Sequence, residues 1–269
     1  MCNQQVEPTK GVVYALSADK TYAEVIDYTA SATQVVIADE YEGVPVTVIG
    51  DSAFREKTIT SVVIPDSVTS IGISAFRDCT SLTNVEIGES VTSIGYSAFA
   101  YCTSLTSVVI PDNVTSIGED AFYGCNKLIE KIDGVSYVDN CVIDFDNTVA
   151  VVTLKDGTRK IFDSAFRGSS KLRSITIPDS VTSIGDYAFS DCSSLTSVEI
   201  GDSVTSIGDH AFYYCTSLTS VTFKNPNGWW YSSSSTATSG TSISSSSLAN
   251  ASTAAMYLKT YNNYYWKRS

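Results

Sequence analysis

The chain has 269 residues, 43% hydrophobic and 17% charged, with a formal net charge of −12. That composition supports a sizeable core and excludes global disorder. The acidity argues against nucleic acid and against anionic lipid surfaces as partners, since both need clustered Lys and Arg.

No run of 18 or more apolar residues occurs, so no transmembrane span is expected. The chain opens Met1-Cys2-Asn3-Gln4-Gln5, without a visible signal peptide. Cys2 has two readings: the lipid-bearing cysteine of a mature lipoprotein, or a chance cysteine in a loose terminus. From Gly11 to Ile37 apolar residues alternate as in strands, with a turn at Ser17 to Thr21, and residues 11–34 suit an N-terminal cap.

Residues 35–223 are dominated by a repeat. An Ala-Phe pair recurs with Phe at 54, 76, 99, 122, 166, 189 and 212, giving gaps of 22, 23, 23, 44, 23 and 23. The unit from Ala75 reads AFRDCTSLTNVEIGESVTSIGYS. Its apolar positions are Ala75, Phe76, Cys79, Leu82, Val85, Ile87, Val91 and Ile94. Val85 and Ile87 lie two apart, as in a strand with one buried face. A turn follows in which Pro65, Pro111 and Pro178 exchange with Gly88 and Gly201. Each second apolar pair is followed by glycine (Gly50, Gly72, Gly95, Gly118, Gly185, Gly208), which predicts positive φ or close backbone approach at a corner. The AFxxC stretch predicts one helical or 3₁₀ turn seating Phe in the core. One unit buries too few apolar side chains to offset the ordering of its own residues, so coils must stack and cover each other.

The unit AFxxC…SLTSVxIPDSVTSIG resembles the BspA-like class of leucine-rich-repeat proteins, over about Val35 to Phe223. The resemblance implies a solenoid common on the surfaces of anaerobic bacteria and some protist parasites. The unit departs from the general leucine-rich-repeat pattern. Ser67, Ser90, Ser180 and Ser203 stand where an Asn ladder is usual, with Asn only at Asn113. A mainly β leucine-rich-repeat solenoid with coils of about 23 residues and capped ends is therefore expected, flatter than a horseshoe with an Asn spine.

Residues 129–164 interrupt the repeat. Val135 to Val138, Cys141 to Ile143 and Val149 to Leu154 read as strands, separated by turns at Asp139-Asn140 and Asp144 to Thr148. This is read as a strand insertion that keeps the core continuous; the alternative is a linker between two solenoids. Residues 224–269 form a tail. Asn225-Pro226-Asn227-Gly228 breaks the pattern before Trp229 and Trp230, and the Ser/Thr-rich stretch from Ser232 to Ser247 is expected to be flexible or loosely extended. Leu248 to Lys259 suits a short helix. The aromatic end through Tyr264, Tyr265 and Trp266 is expected to fold back as a cap.

Chemistry is thinly represented. His210 is the sole histidine and reads as a surface residue, so no nucleophilic triad is expected; no metal, cofactor or enzymatic role is expected either. Cys79, Cys102 and Cys125, like Cys192 and Cys215, are spaced by 23 and read as inward-facing small hydrophobes, not as disulfides or zinc ligands. Asp144 to Asn147 lacks the ligand spacing of a calcium loop and reads as a hairpin turn. The informative positions vary around Ala-Phe while the core repeats. They make Arg77, Tyr96, Tyr101, Tyr123, Arg167, Tyr187, Tyr213 and Tyr214 a candidate binding surface, since Tyr and Arg are enriched in binding hot spots. Unconstrained drift on a solvated face is the competing reading.

The resemblance implies a secreted or cell-surface scaffold, lipid-anchored if Cys2 carries lipid, that adheres to a protein of a host or neighbouring cell. A carbohydrate-binding module, with Tyr101, Tyr213, Tyr214, Trp229 or Trp230 stacking on a glycan, is one alternative. A passive stalk is another.

Overall fold

The computed structural model describes residues 7–269. Cys2 lies outside the described residues. The chain divides into two compact units, Met1–Ile129 and Glu130–Ser269, and each is a stack of short-stranded coils.

In the first unit two parallel ladders run from coil to coil. One joins Val44–Ile49, Ser70–Ile71, Ser93–Ile94 and Ser116–Ile117; the other joins Gln34–Val36, Ser61–Val63, Asn84–Glu86 and Ser107–Val108. In the second unit the matching ladders join Lys160–Ile161, Ser183–Ile184 and Ser206–Ile207, and Val151–Thr153, Ser174–Thr176, Ser197–Ile200 and Ser220–Phe223. Pairing is in repeat register: Ser174 faces Ser197, which faces Ser220. Within each short strand at least one β-branched residue points inward. Val62, Val85 and Val108 are buried in one unit, Ile175, Val198 and Val221 in the other. Threonines beside the strands add a further bond between coils, Thr83 Oγ1 donating to Thr60 O at 2.9 Å and Thr196 Oγ1 to Arg173 O at 2.8 Å.

The AFxxC stretch is a pair of tight turns, not a helix. Arg77 N donates to Ser74 O at 3.0 Å and Cys79 N to Phe76 O at 3.2 Å. Ser74 and Asp78, at the two ends, have φ of 54° and 60°, and left-handed residues on both sides stop a helical turn from propagating. The repeated glycine answers to close approach and not to positive φ: a Cβ on Gly95 would lie 2.7 Å from the Gly72 backbone.

These turns seat the Phe rings in stacks. Phe54, Phe76, Phe99 and Phe122 follow one another at 4.9, 5.1 and 5.4 Å, with planes within 7° of parallel. Phe166, Phe189 and Phe212 follow at 5.0 and 5.1 Å. The six described cysteines are free and buried. Five of them also donate the S–H to a Phe carbonyl of the neighbouring coil, as Cys79 does to Phe54 O at 2.9 Å and Cys192 to Phe166 O at 3.0 Å; Cys141 donates instead to Asp139 O. The column is thus a hydrogen-bonded ladder as well as an apolar one.

Each unit opens with the same cap. In the first, Val12–Leu16 pairs antiparallel with Ala23–Tyr28, which then pairs parallel with Val44–Ile49. In the second, Val135–Val138 pairs antiparallel with Cys141–Phe145, which pairs parallel with Lys160–Ile161. Tyr14 and Tyr137 occupy matching places, their phenolic oxygens accepting from Ala38 N at 3.0 Å and Lys155 N at 3.4 Å. Tyr28 and Phe145 lay their rings on Phe54 and Phe166. The interruption in the repeat is therefore the head of the second unit. It also contains a strand not foreseen, Glu130–Ile132, antiparallel to Val135–Val138.

Asp144 to Asn147 is not a hairpin turn. It carries the chain from the sheet of Cys141–Phe145 to that of Val151–Thr153, with Asp146 Oδ1 accepting from Thr148 Oγ1 at 2.6 Å. The hairpin turns are Asp133-Gly134 and Asp139-Asn140, whose four positive φ angles match two-residue connections.

The second unit ends under its own tail. Tyr265–Arg268 pairs antiparallel with Ser206–Ile207 and so stops the parallel ladder, and Trp229–Ser232 pairs outside it. Helix Ala251–Thr260, capped by Asn250 Oδ1 on Thr253 N at 3.0 Å, buries Ala254, Ala255 and Leu258. Trp229 and Trp266 are buried. The Ser/Thr-rich stretch is held more than its composition suggests. Thr241–Ser242 pairs with Trp229–Ser232, Ser244 caps the helix Ser245–Ala249, and Lys267 Nζ donates to Ala237 O at 3.0 Å.

Phe189→Ala leaves a void between Phe166 and Phe212 and is expected to destabilise the chain by about 3–5 kcal/mol, read as a lowered urea midpoint. Burial pushes the Cys79 thiol up to about 12 and that of Cys141 to about 11. Because all six described cysteines are buried, they should resist a thiol reagent in the folded chain at pH 8 and react on denaturation. Rapid labelling of the folded chain at more than one site would contradict the buried ladder.

Candidate binding surface

The corner that turns around each Phe needs two left-handed residues per coil. The first position is held by Ser52, Ser74, Ser97, Asp120, Ser164, Tyr187 and His210, the second by Glu56, Asp78, Tyr101, Gly124, Gly168, Asp191 and Tyr214. Left-handed backbone costs an L-residue about 1–2 kcal/mol, least for Gly, Asn and Asp. Ser74 and Ser97 at the first position are buried, whereas the tyrosines Tyr101, Tyr187 and Tyr214 at these positions are exposed.

In the first unit the Arg77 guanidinium lies 5.5 Å from the centre of the Tyr101 ring, and Tyr101 meets Tyr123 edge-on at 5.4 Å. Arg77 Nε also donates to Asp78 Oδ2 at 3.3 Å. Tyr123 is 56% exposed, whereas Ala100, in the same column as Arg77 and Tyr123, is buried. Tyr96 is exposed, but among the described residues no ring contact joins it to this group.

The second unit holds a longer group. The Arg167 guanidinium lies 6.0 Å from the Tyr187 ring centre, and Arg167 Nε is 3.9 Å from Asp191 Oδ2. Tyr187 stacks on His210 at 5.0 Å and 9°. His210 meets Tyr213 edge-on at 5.0 Å, and Tyr213 meets Tyr214 at 4.2 Å. Tyr214 is 58% exposed. Of the eight positions expected from the sequence, Arg77, Tyr101 and Tyr123 come together in one unit and Arg167, Tyr187, Tyr213 and Tyr214 in the other; Tyr96 stands apart.

His210 corrects its reading as a surface residue. It is half-buried between two tyrosines, and its Nδ1 lies 2.7 Å from Asp209 Oδ2, off the line a hydrogen bond needs. A stacked partner in the next coil can be found in sequence only by aligning Tyr187 with His210. Trp229 is corrected too: buried against Phe223 and Trp266, it presents no face to a sugar.

Beside the aromatic group runs a carboxylate column; the repeat aligns Asp186 with Asp209, and the structure adds Asp163. Asp163 Oδ1 accepts from Asp186 N, and Asp186 Oδ1 from Asp209 N, both at 2.8 Å. Burial, with Asp163 next and Asp209 adding less, pushes the Asp186 carboxyl up to about 6, against the pull of Asp209 N and His210. The folded value lies above the ordinary 3.8, so folding favours the protonated form. That contribution to stability is complete below the ordinary value and is lost as pH rises through about 6. Asp186→Asn keeps the acceptor and should flatten the decline in thermal stability between pH 4.5 and 7.5. An unchanged decline would count against the assignment.

Six copies of the BspA type leucine rich repeat region match the chain, over residues 47–140 and 144–263. Among solved structures, a leucine-rich repeat protein from T. pallidum is similar at 26% identity and a TM-score of 0.48, over 79% of this chain and 90% of that one. One from Bacteroides capillosus ATCC 29799 shares 33% identity over 42% of this chain and 91% of that one, with a TM-score of 0.38. One from Bacteroides ovatus ATCC 8483 shares 26% identity at a TM-score of 0.43, over 82% of this chain and 53% of that one. No curated protein matches.

Proposed function

This chain belongs to the BspA-type leucine-rich repeat family, and from that premise we propose that it is a secreted or cell-surface scaffold that adheres to a protein of a host or neighbouring cell. The observation that carries this reading is the placement of ordered Arg and Tyr side chains on the coil corners, outside a core that repeats without them. Large rings held by neighbours lose little side-chain freedom on binding, and rings of this kind dominate protein interfaces. The role is binding, without catalysis.

A glycan platform is less well supported. Tyr101 and Tyr123 cross at 85° and Tyr213 and Tyr214 at 63°, so neither pair offers a flat floor for a sugar ring. Trp230 is half-buried, with Lys267 Nζ 5.9 Å from its ring centre. Among the described residues no helix is long and apolar enough to cross a membrane. A lipid on Cys2 is the attachment to the cell we propose, testable by metabolic labelling of the wild-type chain against Cys2→Ser.

The expected outcome on parallel arrays of extracellular-matrix proteins and glycans is binding to a protein. Tyr101→Ala with Tyr213→Ala should then weaken that interaction about thirtyfold or more. Binding to glycans alone would favour the carbohydrate reading, silence on both arrays a passive stalk. A confirmed protein interaction that ignores both substitutions would place the binding face elsewhere.

A further inference from the structure

The corner backbone of the second unit is satisfied by small or acidic residues: Ser164 and Gly168 in one coil, Asp191 in the next. Tyr187, His210 and Tyr214 take the same left-handed backbone at φ of 55°, 55° and 53°. A ring there has no backbone purpose, because Gly serves the corner with less strain and Ser holds the first position in four other coils. Backbone strain of this kind persists where the surroundings over-determine it, and it gathers at functional sites. The rings do not escape into a core either: Tyr187 is 38% and Tyr214 58% exposed.

The chain already shows what such a ring accepts. Arg167 lies over Tyr187 with Asp191 beside it, and in the first unit Arg77 lies over Tyr101 with Asp78 beside it. Guanidinium, ring and carboxylate thus meet in both units, although the ring comes from a different corner position in each and the carboxylate from a different coil relative to the arginine. Along the second unit the row continues through His210 to Tyr213 and Tyr214, and among the described residues no cation lies over either of those rings. Asp191 and Asp209 flank the row, and the whole chain carries a net charge of −12. Exposed tyrosine faces bordered by carboxylates attract cations, and arginine more than lysine, because its plane can stack on a ring while its N–H groups meet a carboxylate.

We propose that the Tyr187–His210–Tyr213–Tyr214 row takes arginine side chains from a cationic segment of the protein partner, extending outward the arrangement that Arg167 makes internally. This rests on the protein-binding reading above and adds the chemistry of the partner.

The test uses the full chain and fluorescently labelled peptides of alternating Arg and Gly, Lys and Gly, and Glu and Gly, titrated by anisotropy at 0.15 M salt. The Arg peptide is expected to bind, the Lys peptide at least fivefold more weakly, and the Glu peptide not at all. Tyr214→Gly and Tyr187→Ser put into the corner what other coils already use, so both variants should melt at or above the wild-type temperature. Each should weaken the Arg peptide tenfold or more. Equal affinity for the Arg and Lys peptides, or affinity indifferent to the two substitutions, would reduce the effect to net charge and overturn the proposal. A fall of several degrees in melting temperature would overturn it as well, by showing that the rings serve the fold. If no peptide binds while Tyr101→Ala with Tyr213→Ala still abolishes a matrix interaction, the partner chemistry fails and the protein-binding reading stands.

Discussion

The rings of Phe54, Phe76, Phe99 and Phe122 lie face to face at 4.9–5.4 Å, close to the roughly 4.8 Å between hydrogen-bonded strands. Because the two spacings agree, a coil can stack its ring and complete its strand ladder at once. Every other regular feature follows that rise. The cysteine S–H reaches the Phe carbonyl of the neighbouring coil, the glycine column lets backbones pass at a corner, and Thr83 and Thr106 each reach back one coil. A coil that lost its Phe would loosen these bonds together, which is why the inward residues repeat so closely.

The same constraint leaves the outside free in a particular way. A corner that turns around a buried ring needs left-handed residues before and after it, but it dictates only their backbone. Ser, Asp, Glu, Gly, His and Tyr all occupy these places. The corner therefore offers each coil two side-chain directions at modest energetic cost. The rings of Tyr101 and Tyr187 meet rings of the next coil, Tyr123 and His210, while Tyr214 meets Tyr213 of its own coil. Order is thereby imposed on surface side chains by the repeat itself, and a row of recognition groups forms without any dedicated loop.

Ends are the weakness of a stacked chain, since the last coil presents an unpaired ladder. Each unit carries an antiparallel pair at its head, Val12–Leu16 with Ala23–Tyr28 and Val135–Val138 with Cys141–Phe145, the second extended outward by Glu130–Ile132, and each pair ends in an aromatic ring on the first Phe of its stack. The closing strand Tyr265–Arg268 runs antiparallel for the same reason. A strand of reversed direction cannot be continued by another coil of the repeat.

Spacing alone was enough to place the Phe stack, the inward cysteines and the short parallel strands, because a repeat of 23 residues with apolar groups in constant places can bury them only by lying coil on coil. The aromatic columns on the corners were legible by the same alignment. The cysteine S–H bonds, the backbone hydrogen bonds that Asp163 and Asp186 accept from the next coil, and the burial of Trp229 were not, since each depends on atoms of neighbouring coils or of the tail meeting at hydrogen-bond or contact distance. Nor could composition show that the AFxxC stretch would stop short of a helix or that Asp144 to Asn147 would cross between sheets. Periodicity determines which residues share a face; only the folded backbone decides how a turn is closed and which side chain covers which.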